Sequence, residues 1–477
     1  MKTSFLVNIF LAVVFFGSCA NSSRAQLQTS SETNAANVEL VKLASQAYIY
    51  AYPMMTMHFT HKISANVEQD NGVGKAPINQ WGNMRAFPKA GFTDVVRPNL
   101  DTYYSVVYAD LADGPIYLYI PPTERYYLMP ILNAHGDVIQ SVGTRTTGQE
   151  GLEIALVGPS YQGKVDNDLL VIRSQTNLNW MLGRVAVKND VDGQLEVDNF
   201  QKRLIAKPLS ERGNDQYVSS KGVIDPQYLG LVPMDVVDAM DIADYLTLAM
   251  TLLEDNPAYA EDAPLMEQLS KIGFQPGGQF NIEQFSGATQ KAMAQVPMLV
   301  QQQFAQMTAN PPSGNLQNGW NVITTGLGEY GTEYFLRAYV TKVGYGANQS
   351  VDAIYPNAAV DSEGNNFNGS HRYVLHFDAD KIPPVNGFWS LTLYDKKGFL
   401  VDNSIDRYNL GSMKDLVYND DGSLDLYIQA EAPVNKTANW LPSPAAGKEF
   451  ELTFRMYYPK PAVLSRDFVM PGVERVN

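Results

Sequence analysis

The sequence predicts a mainly β protein in which two β-domains of the sandwich or barrel type are joined by a helical insert. Short alternating runs begin at Val95 and are separated by clusters of Gly, Pro, Asn and Asp, which is typical of such domains. Apolar residues at helical spacing follow, and alternating runs return after Tyr355. We therefore divide the chain after the N-terminal segment into residues 38–234, 235–345 and 346–477.

Residues 1–25 have the features of an export signal peptide, since a short basic start precedes an apolar run and then small residues. Two cleavage sites compete. One is a lipobox-like stretch that would make Cys19 a lipidated residue, and the other is Ser23-Arg24-Ala25 before Gln26. We expect an exported bacterial protein that is periplasmic or tethered to the outer membrane, and that contacts the membrane only through an N-terminal lipid.

The next residues predict a spacer and then a helix. Residues 26–37 are rich in Ser, Thr, Asn and Gln and lack apolar periodicity, so a flexible spacer is expected. Helical spacing over residues 38–62 predicts the first helix, which Pro53 should end or bend.

Strands of the first β-domain are predicted at 104–108, 116–120, 126–132, 139–142, 154–157, 169–172 and 183–188. In the insert, an apolar stripe predicts a helix over 241–253, and Asp262 before Ala263-Pro264 resembles a capped helix start. Residues 285–307 predict a helix kinked at Pro297. Strands of the second β-domain are predicted at 373–377, 388–395, 424–429 and 449–458.

Charge and composition exclude several classes of protein. The net charge of −15 disfavours nucleic acid and anionic lipid as partners. No stretch after the signal reaches the roughly 20 apolar residues of a membrane-spanning helix, which argues against a transporter or pore. Cys19 is the only cysteine, so the mature chain cannot form an internal disulfide. The sequence leaves the oligomeric state open.

Several motifs resemble two bacterial domains of unknown function. The motifs that resemble the domain numbered 1254 are Asn99-Leu100-Asp101-Thr102-Tyr103-Tyr104-Ser105, Pro121-Pro122, Arg125-Tyr126-Tyr127 and the run from Gly143 to Gly148. The motifs that resemble the domain numbered 1214 are Phe388-Trp389-Ser390-Leu391-Thr392-Leu393-Tyr394-Asp395, Asn403, Arg407-Tyr408, Asp421-Gly422-Ser423, Asn439-Trp440-Leu441-Pro442 and Arg455-Met456-Tyr457. Together these resemblances cover most of the chain after about residue 40.

The resemblance implies an N-terminal immunoglobulin-like β-sandwich and a C-terminal jelly-roll-like β-sandwich with helices between them. It brings no settled reaction. The acidic residue that usually follows the Arg-Tyr-Tyr strand is Asn133 here. If the family uses a carboxylate at that position, this chain has lost it or moved it, for example to Asp137.

Alternation along the C-terminal strands predicts one apolar and one polar face. The apolar face is predicted to collect Tyr373, Leu375, Phe377, Trp389, Leu391, Leu393, Leu424, Leu426, Ile428, Leu452, Phe454 and Met456. The polar face is predicted to collect His376, Ser390, Thr392, Tyr394, Asp425, Tyr427, Gln429, Thr453, Arg455 and Tyr457. Tyr rings, hydroxyls and one Arg on a shared wall suit a glycan or another small polar ligand. The alternatives are a solvated face, or a face covered by the other domain with Arg455 paired to Asp395.

Other candidate ligand-binding residues lie in the loops of the second β-domain. Trp440 is expected in a loop, where it either stacks on a ligand or plugs one end of the sandwich. Arg407, with Tyr408 beside it and Asn403 before it, could bind a carboxylate or form an ion pair with Asp406 or Asp395.

Asp101 and Arg455 are the candidate catalytic residues. Asp101 precedes a strand and has Asn, Thr and Tyr neighbours that could orient it as a base, while Arg455 could stabilise charge. A turn Asp that bonds its own backbone is the alternative for Asp101.

No cofactor or metal is expected. His58 and His61 have helical i, i+3 spacing, but no carboxylate follows on the next turn. The chain lacks a nucleophile elbow and a Gly-rich phosphate loop.

Three functions from different classes remain. The first is binding of glycan-like or small polar ligands, the second is a hydrolase or lyase acting on an extracytoplasmic polymer, and the third is a structural envelope protein.

Overall fold

The computed structural model describes residues 24–92, 97–188 and 191–476, with side chains from residue 37 onward. Cys19 and the lipobox lie outside the described residues. No helix within these ranges is both long and apolar enough to cross a membrane.

In the described ranges the α-helices are α1 (Arg24–Ser64), α2 (Val191–Gln201), α3 (Pro233–Ala239), α4 (Ile242–Asp255), α5 (Ala263–Leu269), α6 (Gly287–Met293), α7 (Val296–Ala309), α8 (Tyr334–Gly344) and α9 (Pro461–Leu464). The strands before the insert are β1 (Trp81–Asn83), β2 (Thr102–Asp110), β3 (Ile116–Ile120), β4 (Tyr127–Asn133), β5 (Val138–Gly143), β6 (Leu152–Val157), β7 (Leu170–Arg173), β8 (Leu178–Ala186) and β9 (Ile205–Pro208). The later strands are β10 (Leu316–Gln317), β11 (Trp320–Asn321), β12 (Ala353–Ile354), β13 (Asn357–Ala358), β14 (Arg372–Phe377), β15 (Trp389–Asp395), β16 (Asn409–Gly411), β17 (Leu424–Gln429), β18 (Trp440–Pro442), β19 (Phe450–Tyr457) and β20 (Val473–Val476).

The first β-domain consists of two sheets that enclose one apolar core. One sheet has the strand order β1-β2-β8-β4-β5, and the other has the order β7-β6-β3-β9. Alternate residues of both sheets meet in the core, for example Val107 and Met129 from the first sheet and Leu118 and Leu156 from the second. All seven strands that the sequence predicts here are present, and helix α2, which was not predicted, packs Val197 and Phe200 on the same core.

The second β-domain also has two sheets around one core. The larger sheet runs β10-β11-β13-β19-β15-β16, with β12 also paired to β19, and the smaller sheet runs β18-β17-β14-β20. Every residue of the predicted apolar face lies in this core, so that prediction is confirmed. Strands β10 and β11 come from residues assigned to the insert, because they pair onward to β13 and so extend the larger sheet.

Helix α1 and the helices of the insert form a separate apolar core. Helix α4 begins where the carboxylate of Asp241 accepts hydrogen bonds from the backbone N–H groups of Ala243 and Asp244, which caps its first turn. Its apolar stripe, with Tyr245 and Leu246, packs against α1, where the Tyr245 ring stacks on that of Tyr48 at 4.1 Å between centroids. The protein is thus mainly β, and its helices form a core of their own.

Several helix boundaries differ from the prediction. Helix α1 covers Arg24–Ser64, so it includes residues 26–37 and continues through Pro53. The predicted single helix over 285–307 is two helices, α6 and α7, and Pro297 lies in the first turn of α7 instead of inside a continuous helix. A first-turn Pro costs no hydrogen bond, because the first N–H groups of a helix have no partner within it.

Buried histidines predict how stability depends on pH. Burial lowers the pKa of both His61 and His135 from 6.5 to about 4. The unfolded chain therefore binds more protons than the folded chain between pH 4 and 6.5, so the free energy of unfolding is expected to rise with pH across this window. The gain should be about 3 kcal/mol for each histidine.

Urea unfolding at a series of pH values tests this expectation. His61→Gln should flatten the rise between pH 4 and 6.5, whereas His376→Gln, on the exposed outer side of β14, should not. An unfolding free energy that is constant over the window in the unmodified protein would contradict the prediction.

Candidate functional site

Asp101 lies at the contact between the two β-domains. Its carboxylate accepts hydrogen bonds from the Ser390 hydroxyl at 2.6 Å and the Asn409 side-chain amide at 2.8 Å, and its own N–H donates to the Asn99 side chain at 2.7 Å. Asp101 is 3% exposed, and burial raises the pKa of its carboxyl group. The Asn99 side chain makes the local turn, and the Asp101 carboxylate binds residues of the second β-domain instead of its own backbone, so the alternative predicted for Asp101 is wrong.

Arg455 is 4% exposed and lies in the same contact. Its guanidinium donates to the Thr392 hydroxyl at 2.8 Å, the Tyr394 hydroxyl at 2.7 Å and the backbone oxygen of Arg97 at 3.0 Å. Burial alone lowers the pKa of Arg455, but the facing Tyr394, Tyr457 and Asp101 outweigh this effect and raise it. The expected ion pair with Asp395 is not formed.

Tyr394 and Tyr457 complete this buried surface. The Tyr394 hydroxyl donates to the backbone oxygen of Pro98 at 2.7 Å, and the Asn99 amide donates to the Tyr457 hydroxyl at 2.8 Å. Both tyrosines are fully buried. We call the set Asn99, Asp101, Ser390, Thr392, Tyr394, Asn409, Arg455 and Tyr457 the interdomain polar seam.

The hypothesis of one accessible polar wall is wrong, because the predicted residues belong to two different sheets. Tyr394, Arg455 and Tyr457 are on β15 and β19, whose outer face is covered by the first domain. Tyr427 is on β17 of the other sheet, whose outer face points the opposite way, and its hydroxyl donates to Asp425 at 3.2 Å. Alternation predicts which residues of a strand share a face, but it does not predict which sheet the strand joins.

Trp440 does not lie in a loop. It begins strand β18, which pairs in parallel with β17, and its indole N–H donates to the backbone oxygen of Gln429 at 2.8 Å. Its side chain is buried. Trp440 therefore belongs to the edge strand of the small sheet, whereas both predicted alternatives placed it in a loop.

Arg407, Asn403 and Tyr408 organise a loop. Arg407 donates to the backbone oxygen atoms of Thr437 and Trp440, so it pairs with neither Asp406 nor Asp395. Asn403 bonds the backbone of Arg407, and the Tyr408 hydroxyl donates to Asp406 at 2.8 Å. These contacts fix the loop after β15.

A second buried polar cluster lies between the first β-domain and the insert. Asp262 is buried and accepts hydrogen bonds from the Tyr50 and Tyr334 hydroxyls, each at 2.8 Å. Between these two rings lies the fully buried Arg337, at 5.4 and 5.3 Å from their centroids. Its guanidinium is 3.4 Å from Asp137. Asp262 thus precedes α5 as predicted, but its carboxylate binds tyrosines and does not cap the helix through its side chain.

Asn133 and Asp137 meet in this cluster at one tyrosine. The Asn133 side-chain amide donates to the Tyr259 hydroxyl, and that hydroxyl donates to Asp137 at 3.0 Å. Asp137 therefore lies beside the position where the resemblance implies an acidic residue, in a structural network.

An open cleft lies at the carboxyl ends of the parallel strands β6 and β7. Its volume is about 500 Å³, and its lining residues are Gly158, Pro159, Tyr161, Gln162, Arg173, Ser174, Gln175, Pro257 and Ala258. We call it the Arg173 cleft. The Arg173 side chain is exposed and forms no ion pair or hydrogen bond with any residue in the described ranges. The cleft can therefore offer a free guanidinium, a phenol ring and two amides to a ligand.

These lining residues were not predicted from the sequence. A Pro-Ser-Tyr-Gln-Gly turn directly after a predicted strand was the available signal, because loops at strand ends often carry binding residues. Metal ligands give no comparable site, since no three His, Cys, Asp or Glu side chains in the described ranges lie close enough to hold an ion.

The molecule is a mainly β protein whose two β-domains meet in a buried polar seam and whose helices form a separate apolar core. Two family models match the chain. Protein of unknown function (DUF1254) matches residues 78–208, and Protein of unknown function (DUF1214) matches residues 352–461. The chain therefore pairs the two domains that its motifs resemble.

Comparison with other proteins supports the fold alone. The crystal structure of the VPA0106 protein from Vibrio parahaemolyticus superposes with a TM-score of 0.67 and 22% identity, over 92% of this chain and 100% of that chain. A putative uncharacterized protein from Burkholderia cenocepacia gives a TM-score of 0.41 and 13% identity, over 95% and 99% of the two chains. No curated protein sequence matches this chain.

Proposed function

We propose that this protein binds small polar or glycan-like ligands that carry a carboxylate, and that it binds them in the Arg173 cleft. The observation that carries the proposal is the lining of the cleft, which contains Arg173 as its charged side chain and no Asp or Glu. A guanidinium can hold a carboxylate through two parallel hydrogen bonds. The cleft thus has a defined anchor for an acidic group.

The remaining lining suits the rest of such a ligand. The exposed side chains of Gln162 and Gln175 can both donate and accept hydrogen bonds, which matches the hydroxyl groups of a sugar. Tyr161 is half-buried, so one part of its ring is available for stacking on a sugar ring. The cleft thus combines an aromatic ring with a guanidinium, a combination that the sequence predicted on the C-terminal strands instead.

The overall charge of the chain makes a local anchor necessary. A net charge of −15 repels anions at long range. An unpaired Arg in a concave site overcomes this repulsion at short distance, because its donors are not already engaged by a protein carboxylate. We therefore expect binding to weaken as the salt concentration rises.

Binding is favoured over catalysis by the surroundings of Asp101. This carboxylate is buried in the interdomain polar seam and bonded by Ser390 and Asn409, and the Arg173 cleft holds neither His nor a carboxylate as an alternative base. The seam itself favours a further candidate, a structural envelope protein, since its polar residues pair with each other across the domains.

Arg173→Met tests the proposal. Oligosaccharides of uronic acids should raise the melting temperature of the unmodified protein, and they should raise that of the variant less. The variant should bind the acidic oligosaccharides about tenfold to hundredfold more weakly, because it lacks a charge-assisted pair. Titration calorimetry of both proteins measures the difference.

Lys164→Met is the matched control, because Lys164 is exposed near the cleft but does not line it. Its affinity should equal that of the unmodified protein. Equal affinities of the Arg173→Met variant and the unmodified protein would overturn the proposal. Release of products from the oligosaccharides, lost in Asp101→Asn, would support the hydrolase or lyase instead.

We also propose that the protein is exported and tethered or periplasmic, and that its sheet pairs are of the immunoglobulin-like and jelly-roll-like types. The apolar run and small residues within residues 1–25 support export, and the two enclosed cores support the sandwich types. Extracytoplasmic polysaccharides are accordingly the first ligands to test.

A further inference from the structure

A second cleft lies at the open side of the first β-domain. Strands β1 and β9 are edge strands of the two sheets, and the cleft opens between them. Its volume is about 400 Å³, and its lining residues are Gln80, Trp81, Leu204, Ile205, Ala206, Lys207, Asn214, Asp215, Tyr217 and Ser219. We call it the Trp81 cleft. None of its lining residues also lines the Arg173 cleft.

Lys207 is a charged side chain built into the wall of this cleft. It is 8% exposed, its ammonium group donates to the backbone oxygen of Asn214 at 3.1 Å, and it lies 5.8 Å from the centroid of the Tyr117 ring. No carboxylate in the described ranges forms an ion pair with it. An ammonium group has three N–H donors, so part of its capacity remains for a ligand.

Trp81 adds an unused donor and an aromatic ring. Its indole N–H has no hydrogen-bond partner in the described ranges, although its side chain is only 8% exposed. Such groups are nearly always paired in folded proteins, so an unpaired one beside a cleft indicates a missing partner. Tyr217, which is half-buried, supplies a second ring to the lining.

The charges of the lining cancel. Asp215 is exposed at the rim and, like Lys207, forms no ion pair within the described ranges. One cation and one anion, neither of which forms an ion pair in the described ranges, give the cleft no net preference for a charged ligand. Hydroxyl groups suit both, because they accept from the ammonium and indole groups and donate to the carboxylate.

From this arrangement we propose that the Trp81 cleft binds a neutral sugar ring. The ring face contacts Trp81 and Tyr217, while its hydroxyl groups bond Lys207 and Asp215. This is a site separate from the Arg173 cleft, and it takes a different class of ligand. A polysaccharide that contains both neutral and acidic sugars could use both clefts, but each site stands without the other.

Intrinsic fluorescence tests the proposal directly, because the reporting residue lies in the cleft. Cellobiose, maltose and chitobiose are titrated into the full-length protein at up to millimolar concentrations. At least one of them should change the tryptophan emission in a saturable way, and Trp81→Phe should abolish this change. Tyr217→Ala, a change in a half-buried loop residue, should weaken binding at least tenfold when it is measured by calorimetry.

Arg173→Met separates this proposal from the proposed function, since it should leave disaccharide binding unchanged. A saturable response that is retained in Trp81→Phe and in Tyr217→Ala would place the sugar elsewhere and overturn the inference. No response to any of the disaccharides, by fluorescence or by calorimetry, would overturn it as well. Neither result bears on acidic oligosaccharides in the Arg173 cleft.

Discussion

Arg455→Met is expected to lower the free energy of unfolding by about 3–5 kcal/mol, because it removes the cation of a buried polar network. The Thr392 and Tyr394 hydroxyls and the backbone oxygen of Arg97 each lose a donor, and all three groups stay buried in the seam. Asp101 also loses the neighbouring charge that lowers its pKa most strongly. Arg455→Lys should recover only part of the loss, since one ammonium cannot reproduce a planar fork of donors.

Guanidinium-induced unfolding, followed by circular dichroism, measures this effect. Arg372→Met is the matched control, because Arg372 is exposed on β14 and should change the free energy of unfolding by less than about 0.5 kcal/mol. If both variants had the same stability as the unmodified protein, the seam would not hold the domains together.

Asp262→Ala is the second change with a large expected effect. The variant removes a buried acceptor of two tyrosine hydroxyls, Tyr50 and Tyr334, and of the Tyr259 backbone N–H. Buried donors left without a partner cost about 1–3 kcal/mol each, so we expect a loss of about 3–5 kcal/mol.

The adjacent residue provides the control for this variant. Glu261 is exposed, and Glu261→Ala should leave the unfolding midpoint nearly unchanged. Asp262→Asn keeps the shape of the side chain and one acceptor oxygen, so its stability should lie between those of the alanine variant and the unmodified protein. A stability of Asp262→Ala equal to that of Glu261→Ala would show that the cluster around Arg337 contributes little.

Local patterns in the sequence were sufficient for much of the fold. Alternation correctly predicted that Leu391 and Phe454 lie in one core, because every second residue of a half-buried strand faces the same side of the sheet. The helix predicted over 241–253 was equally readable, since an apolar stripe marks it, and it is present as α4. Each of these features depends on neighbours within a few residues along the chain.

Features that depend on distant pairing were not readable. The position of Tyr427 opposite to Tyr394 follows from which sheet each strand joins, and that choice is made by contacts far apart in sequence. Trp440 entered a short parallel strand for the same reason. Both clefts combine strand ends with loops from elsewhere in the chain, so Arg173 and Lys207 had no local signature.

The interdomain polar seam has a consequence for how this chain can be divided. Either β-domain produced alone would present hydroxyl, carboxylate and guanidinium groups to water on a surface shaped for a partner that is absent. Such fragments would lack the electrostatic interaction between Asp101, in the first β-domain, and Arg455, in the second. We therefore expect each half to be stable only in the presence of the other.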